Sequence, residues 1–223
     1  MKKVYKQLIA LAILFVLFIT WTLLVVFDVV DAMDEAIVEG IVSFRGEKGG
    51  FWYWLVRSTT ELAYIFVVIP AALIVVIFYK ANTRSLALPV SMGVMFVANK
   101  LAKVLVHRER PLADYHWMHE SSYSYPSGHT TSAVVFYGML AYLVYRSNLK
   151  KSVKITLITV LSLTILWIGF TRMVLSVHFF SDIIGGLIFG SFVNILVIML
   201  AEMAENKGFE GLTTIINKFR KQD

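Results

Sequence analysis

Six apolar runs, each near the length needed to cross a bilayer, constrain this chain more than any other feature. A transmembrane helix takes about 20 mostly apolar residues. The runs lie at Leu8–Val30, Leu62–Tyr79, Ser85–Val106, Thr130–Tyr145, Val153–Phe170 and Ile183–Ala201. They are why 58% of the 223 residues are hydrophobic and only 16% charged, against roughly 45–50% and 25% in a soluble domain. Such a composition excludes disorder, and a chain without cysteine cannot be a disulfide scaffold. The net charge of +6 is carried at the flanks of the runs and not in a separate basic stripe, so nucleic acid is excluded as a partner. The expected fold is all-α: a polytopic bundle of six transmembrane helices, one domain over residues 1–223, with the phospholipid bilayer as its surroundings.

Lys2, Lys3 and Lys6 precede the first run as they would in a signal peptide. Its apolar stretch far exceeds an h-region of about 7–15 residues, and no small-residue cleavage site follows, so a retained helix is expected. Lys and Arg counts set the orientation. With the amino terminus inside, the inner segments carry Lys2, Lys3, Lys6, Lys80, Arg84, Arg146, Lys150, Lys151, Lys154, Lys207, Lys218, Arg220 and Lys221. Asp28, Asp31, Asp34, Glu35, Glu39, Glu47 and Glu61 flank the first outer loop. Both termini are therefore expected to be cytoplasmic. The exception is the cationic cluster from Lys100 to Arg110, on the side that normally avoids such charge.

Asp31 to Glu61 is too polar to span. Ile37, Val38, Ile41 and Val42 recur at helical spacing, predicting a short interfacial helix between spans one and two. Gly49-Gly50 breaks it, and Phe51-Trp52-Tyr53-Trp54 reads as an aromatic belt. Anchoring the first hairpin is the plain role for this segment; a lid over a substrate entrance is the sharper alternative.

Polar residues gather at the outward ends of spans three, four and six. In the first cluster, Lys103 and Arg110 stand seven apart before Pro111, which predicts one helical face, a separation of about 10 Å and a helix ending near Arg110. Snorkelling to lipid headgroups is the competing explanation. The second is Tyr125-Pro126-Ser127-Gly128-His129 at the start of an apolar run. The unpaired amides of a first helical turn make an anion cradle, although serine there is also an ordinary N-cap. No Gly-x-Ser-x-Gly elbow surrounds Ser127, which argues against a serine nucleophile. The third holds Arg172, His178 and Asp182. A carboxylate four residues after a histidine lies beside the imidazole on a helix, fixes its tautomer and leaves the other nitrogen free to attack. A structural hydrogen bond is the alternative for that pair. Three cations, two histidines, a carboxylate and a glycine-bearing helix start on one side suit phosphoryl chemistry.

With Lys103-x6-Arg110-Pro111, Pro126-Ser127-Gly128-His129 and Arg172-x5-His178-x3-Asp182, the chain resembles the type-2 phosphatidic acid phosphatase superfamily. Its compact build is similar to that of bacterial six-span phosphatidylglycerophosphate and undecaprenyl pyrophosphate phosphatases. The resemblance implies a single integral membrane phosphatase domain in the bacterial cell membrane. It would hydrolyse a phosphate or pyrophosphate monoester of a lipid at the outer face through a phosphohistidine. His178 would be the nucleophile, Asp182 its orienting partner and His129 the general acid. Lys103, Arg110, Ser127, Gly128 and Arg172 would hold the phosphate oxygens. No metal or other cofactor is expected, and the sequence carries no His-Glu-x-x-His pair. The family's usual serine before the third-motif arginine is Thr171 here. Phosphotransfer to another acceptor would use the same residues. A transporter or lipid-binding protein would need the cations, but not His129 or the His178–Asp182 pair.

Other histidines have plainer readings. His107 is an interfacial residue beside the first motif, and His116 and His119 lie in the loop between motifs. Glu120-Ser-Ser-Tyr-Ser-Tyr is placed to shape substrate access. Lys100 is expected to snorkel, and Asn194 to bond a neighbouring helix.

Overall fold

The computed structural model describes residues 2–79 and 82–206; Lys80, Lys207, Lys218, Arg220 and Lys221, used above to set orientation, lie outside them. The described residues form α-helices and short 3-10 turns with no strand. In chain order the helices are α1 (Lys2–Val26), α2 (Asp31–Phe44), α3 (Phe51–Thr60), α4 (Ile65–Phe78), α5 (Thr83–Val106), α6 (Gly128–Arg146), α7 (Lys151–Val174) and α8 (Phe180–Asn206). Helices α1, α5, α7 and α8 are long and apolar enough to cross a membrane. Their outer faces expose Ile9, Ile13 and Val16 of α1 and Ile155, Val160 and Leu163 of α7. A contiguous display of that kind belongs against hydrocarbon.

The first run does not stay helical to Val30. It stops at Val26, and Asp28 takes a left-handed conformation, φ +58°. The expected interfacial segment holds two helices rather than one, because the Phe51–Trp54 aromatics open α3. The second expected span is broken. Tyr64 is extended, and the helical stretch ending at Ala63 meets α4 at 46°. Alone, the 14 residues of α4 reach about 21 Å, short of a hydrocarbon core of about 30 Å; the bent pair together makes a fifth candidate crossing.

Helix α6 runs through the middle, packed against α5, α7 and α8, while α1 lies along α8. Leu88, Met92 and Met95 of α5 meet Val135, Phe136 and Met139 of α6 and Phe189 and Val193 of α8 in the main core. Small residues let α8 approach α6 closely. A Cβ on Gly190 would lie 2.7 Å from Val134 Cβ, and one on Gly185 would lie 2.5 Å from the Tyr125 ring. Asn194 donates to the Val134 carbonyl of α6 at 2.8 Å, the neighbour-helix bond expected of it. That close seam carries the start of α8 to the start of α6. At the other end, Glu202 of α8 accepts from Lys3 (2.5 Å), Gln7 (3.0 Å) and Tyr142 (3.0 Å), and Arg84 pairs with Glu205 at 3.0 Å.

Candidate functional site

Four helix ends and two loops meet away from the Glu202 cluster. Helix α5 stops at Val106 because His107 turns left-handed, φ +52°, and its N–H closes on the Lys103 carbonyl at 3.0 Å. Lys103 and Arg110 therefore do not share a helical face, as their spacing had predicted; Lys103 lies in the last turn of α5 and Arg110 in the loop beyond. They converge nonetheless. The Lys103 ammonium donates to the carbonyls of Tyr123 and, at 3.1 Å, Ser124. The Arg110 guanidinium donates to the carbonyls of Ser122 (2.7 Å) and Tyr123 (3.3 Å).

The His178–Asp182 pair forms, but not within one helix. His178 precedes α8, and Asp182 sits in its first turn. His178 Nδ1 donates to Asp182 Oδ2 at 3.2 Å, and the Phe179 N–H donates to the same oxygen at 2.9 Å. With Nδ1 protonated, Nε2 carries the lone pair and accepts from Arg110 at 3.3 Å. Burial, followed by the charges of Arg110, Lys103 and Arg172, holds the His178 imidazole well below its ordinary pKa. The ring is neutral at pH 7, with its unprotonated nitrogen turned to the cations.

Behind this pair lies a connection that sequence spacing did not reveal. Arg108 donates to Asp182 Oδ1 at 3.0 Å, to Asp34 Oδ2 at 2.8 Å and to Asp31 Oδ1 at 3.1 Å. Asp34, fully buried on α2, also accepts the Ser181 N–H at 3.0 Å and the Ser181 hydroxyl. Each Asp182 oxygen is thus held, one by Arg108 and one by His178 and Phe179. Two sequence signals bore on this: the cluster of cations from Lys100 to Arg110, and Asp31 and Asp34 three apart.

Ser127 caps α6. Its Oγ accepts from the Thr130 N–H at 3.4 Å and the Thr130 hydroxyl at 3.0 Å, so the ordinary cap reading describes this hydroxyl. Gly128 keeps space open: a Cβ there would stand 3.5 Å from Asn99 Oδ1 and 3.9 Å from Lys103 Cε. The His129 ring stacks near Tyr64, centroids 6.0 Å apart, and its Nε2 is buried with no partner among the described residues. Arg172 is fully buried, ion-paired with Glu120 and donating to Thr60 Oγ1 at 3.2 Å. Glu120 so enters the site from the loop that sequence placed at its approach. The Thr171 hydroxyl turns into its own helix, donating to the Ile168 carbonyl at 2.7 Å. His107 packs edge-on to Tyr123, centroids 4.6 Å apart, and His116 bonds the Pro111 carbonyl at 2.8 Å. His119 and Lys100 are exposed.

A cavity of about 340 Å³ opens beside Lys103, Gly128 and His129, lined further by Asn99, Ser132 and the apolar Ile65, Met95 and Phe96. Ile65 and Phe96 also line a second, apolar cavity of about 290 Å³ between α4 and α5. Sharing Ile65 and Phe96, the two cavities adjoin along the α4–α5 flank.

The PAP2 superfamily sequence pattern matches residues 84–205. Phosphatidylglycerophosphatase B of Bacillus subtilis (strain 168) is 30% identical over 193 residues, covering 82% of this chain and 91% of that protein. The crystal structure of a transmembrane PAP2 type phosphatidylglycerolphosphate phosphatase from Bacillus subtilis superposes with a TM-score of 0.77 at 26% identity, covering 86% of this chain and 96% of the other. Aquifex aeolicus LpxE shares the fold, with a TM-score of 0.57 at 21% identity over 74% of this chain and 94% of the other.

Proposed function

The chain belongs to the PAP2 superfamily, and from that premise we propose that it removes phosphate from a glycerophospholipid monoester, phosphatidylglycerophosphate or phosphatidic acid, by way of a phosphohistidine. The observation that carries this is the His178 imidazole: one nitrogen protonated and held by Asp182, the other bare and 3.3 Å from Arg110.

The phosphate sits among Lys103, Arg110, Arg172 and the free amides of the first turn of α6, whose dipole favours an anion. His178 Nε2 forms a bond to phosphorus as the phosphorus–oxygen ester bond breaks, and His129, charged as the imidazolium once the phosphate dianion is bound beside it, gives its proton to the leaving oxygen. Water then attacks phosphorus, giving its proton back to His129, and the nitrogen–phosphorus bond breaks. Cations fixed beforehand at the equatorial oxygens supply the main stabilisation. Charge neutralisation is assigned to these side chains, so turnover proceeds without a metal. Arg108, held by Asp34, keeps the Asp182 carboxylate aimed at Nδ1.

Helix α6, enclosed by three long apolar helices, is taken as a crossing too, giving six. Lys3, Arg84 and Arg146 lie at the end of the bundle remote from the site, so the positive-inside rule puts that end and both termini in the cytoplasm and the site at the outer face.

Purified protein in detergent, given phosphatidylglycerophosphate, phosphatidic acid and a polyprenyl pyrophosphate in the presence of chelator, is expected to release inorganic phosphate, fastest from the glycerolipids. The His178→Ala variant is expected to release none. Retained turnover in that variant overturns the nucleophile assignment, and binding without release by the wild type overturns hydrolysis.

A further inference from the structure

Helices α5 and α6 line the first cavity in layers. At its charged end are Lys103 on α5 and Gly128 and His129 on α6. One turn further from the mouth, about 6 Å along each axis, come Asn99 and Ser132. Beyond them the lining is Met95 and Phe96 on α5, with Ile65 of α4 opposite. Apart from Lys100, whose exposed side chain also lines the cavity, charged groups give way to neutral polar groups and then to apolar ones.

The middle layer is unusual in what it leaves unbonded. Ser91, Ser162 and Ser191 each donate to a carbonyl three or four residues earlier in their own helix. Ser132 does not. Its Oγ is buried without a partner among the described residues, on a side chain only 5% exposed that lines the cavity. Asn99, 6% exposed, commits its amide N–H to Thr131 Oγ1 at 3.2 Å. Its Oδ1 is left on the Gly128 side of the cavity. A buried polar group without a partner costs roughly 1–3 kcal/mol, so the Ser132 hydroxyl, with the Asn99 amide lining the same cavity, marks a place for a polar ligand atom.

We propose that Ser132 and Asn99 form a leaving-group subsite that takes an oxygen borne on the carbons next to the phosphate ester, and so selects glycerol-type phosphate monoesters over isoprenyl ones. The order of layers matches a glycerophospholipid: phosphate, then ester or hydroxyl oxygens, then hydrocarbon. An isoprenyl phosphate passes from phosphate straight to hydrocarbon and leaves the Ser132 hydroxyl buried and unpaired in the complex. Sites built to hydrogen-bond a substrate oxygen discriminate against analogues that lack it. The subsite rests on the phosphatase reading, since it lies one turn beyond the acid that protonates the leaving oxygen.

The test compares kcat/KM for phosphatidic acid and farnesyl monophosphate in detergent, for the wild type, Ser132→Ala and Ser132→Thr. Loss of one hydrogen bond is expected to lower the phosphatidic acid to farnesyl monophosphate ratio about fivefold in Ser132→Ala, and Ser132→Thr restores it. Equal effects on both substrates, or an unchanged ratio, overturn the subsite while leaving the phosphatase intact. A second arm needs no variant: wild-type protein is given a phosphatidic acid analogue with methylene in place of the neighbouring ester oxygen. A loss of about fivefold supports the subsite, and equal turnover overturns it. If the wild type releases phosphate from no substrate, this proposal and the phosphatase reading fall together.

Discussion

The two sides of His178 are built differently. Behind it, Asp182, Arg108, Asp34 and Ser181 bind one another through buried charge-assisted bonds from three parts of the chain. In front, Lys103 and Arg110 donate to loop carbonyls and Arg172 is paired with Glu120, while His129 Nε2 and Ser132 Oγ are unpartnered among the described residues. The rear is saturated and fixes geometry. The front keeps donors that a phosphate can claim. Preorganisation of this kind needs both halves, because a mobile nucleophile, or cations unable to exchange their present acceptors for phosphate oxygens, would each forfeit the transition state.

The contrast breaks most severely at the junction. His178→Asn removes the nitrogen proposed to bond phosphorus and is expected to reduce phosphate release by about a thousandfold or more. Arg108→Ala leaves Asp34 and Asp182 buried without their cation. It should cost about 3–5 kcal/mol of stability, read as a fall in thermal midpoint in detergent, together with most of kcat. Asp34→Asn, which keeps the shape, is expected to lower kcat about tenfold with KM little changed, because substrate contacts lie on the other side. A front-side effect appears in pH. Since burial and nearby cations hold His178 well below the ordinary imidazole value of about 6.5, the neutral nucleophile persists as pH falls through 6.5. The nucleophile's acid limb in kcat/KM is lost only further down, and a limb centred at 6.5 or above would contradict the assignment. Smallest is Glu120→Gln, which frees Arg172 from a competing carboxylate and is expected to tighten competitive inhibition by inorganic phosphate about threefold. Weaker inhibition would instead make Glu120 an orienting partner of Arg172.

Much of this was legible from spacing. The apolar runs foretold α5, α6, α7 and α8 within a few residues, because helices in hydrocarbon must satisfy their own backbone. The His178–Asp182 contact survived although the helix assumed for it did not: Asp182 reaches back across the helix start. What could not be read was where helices stop without glycine or proline. His107 adopts a left-handed cap, and Tyr64 breaks the second run, neither being a residue type that announces such a turn. Long-range charge pairing was equally hidden. Asp34 meets Ser181 across most of the chain, and no local pattern tells an acid flanking a membrane helix from one buried beneath an arginine.

The carbonyls of Ser122, Tyr123 and Ser124 carry a kinetic consequence. An arriving phosphate exchanges these neutral acceptors for its own oxygens and does not fall onto bare cations, so the ground state gains only the difference between two hydrogen-bonded arrangements. On the proposed hydrolysis, inorganic phosphate would leave by the reverse exchange, the loop oxygens displacing it. An enzyme so arranged avoids becoming a trap for its own product, and its tightest embrace is reserved for phosphorus in transit.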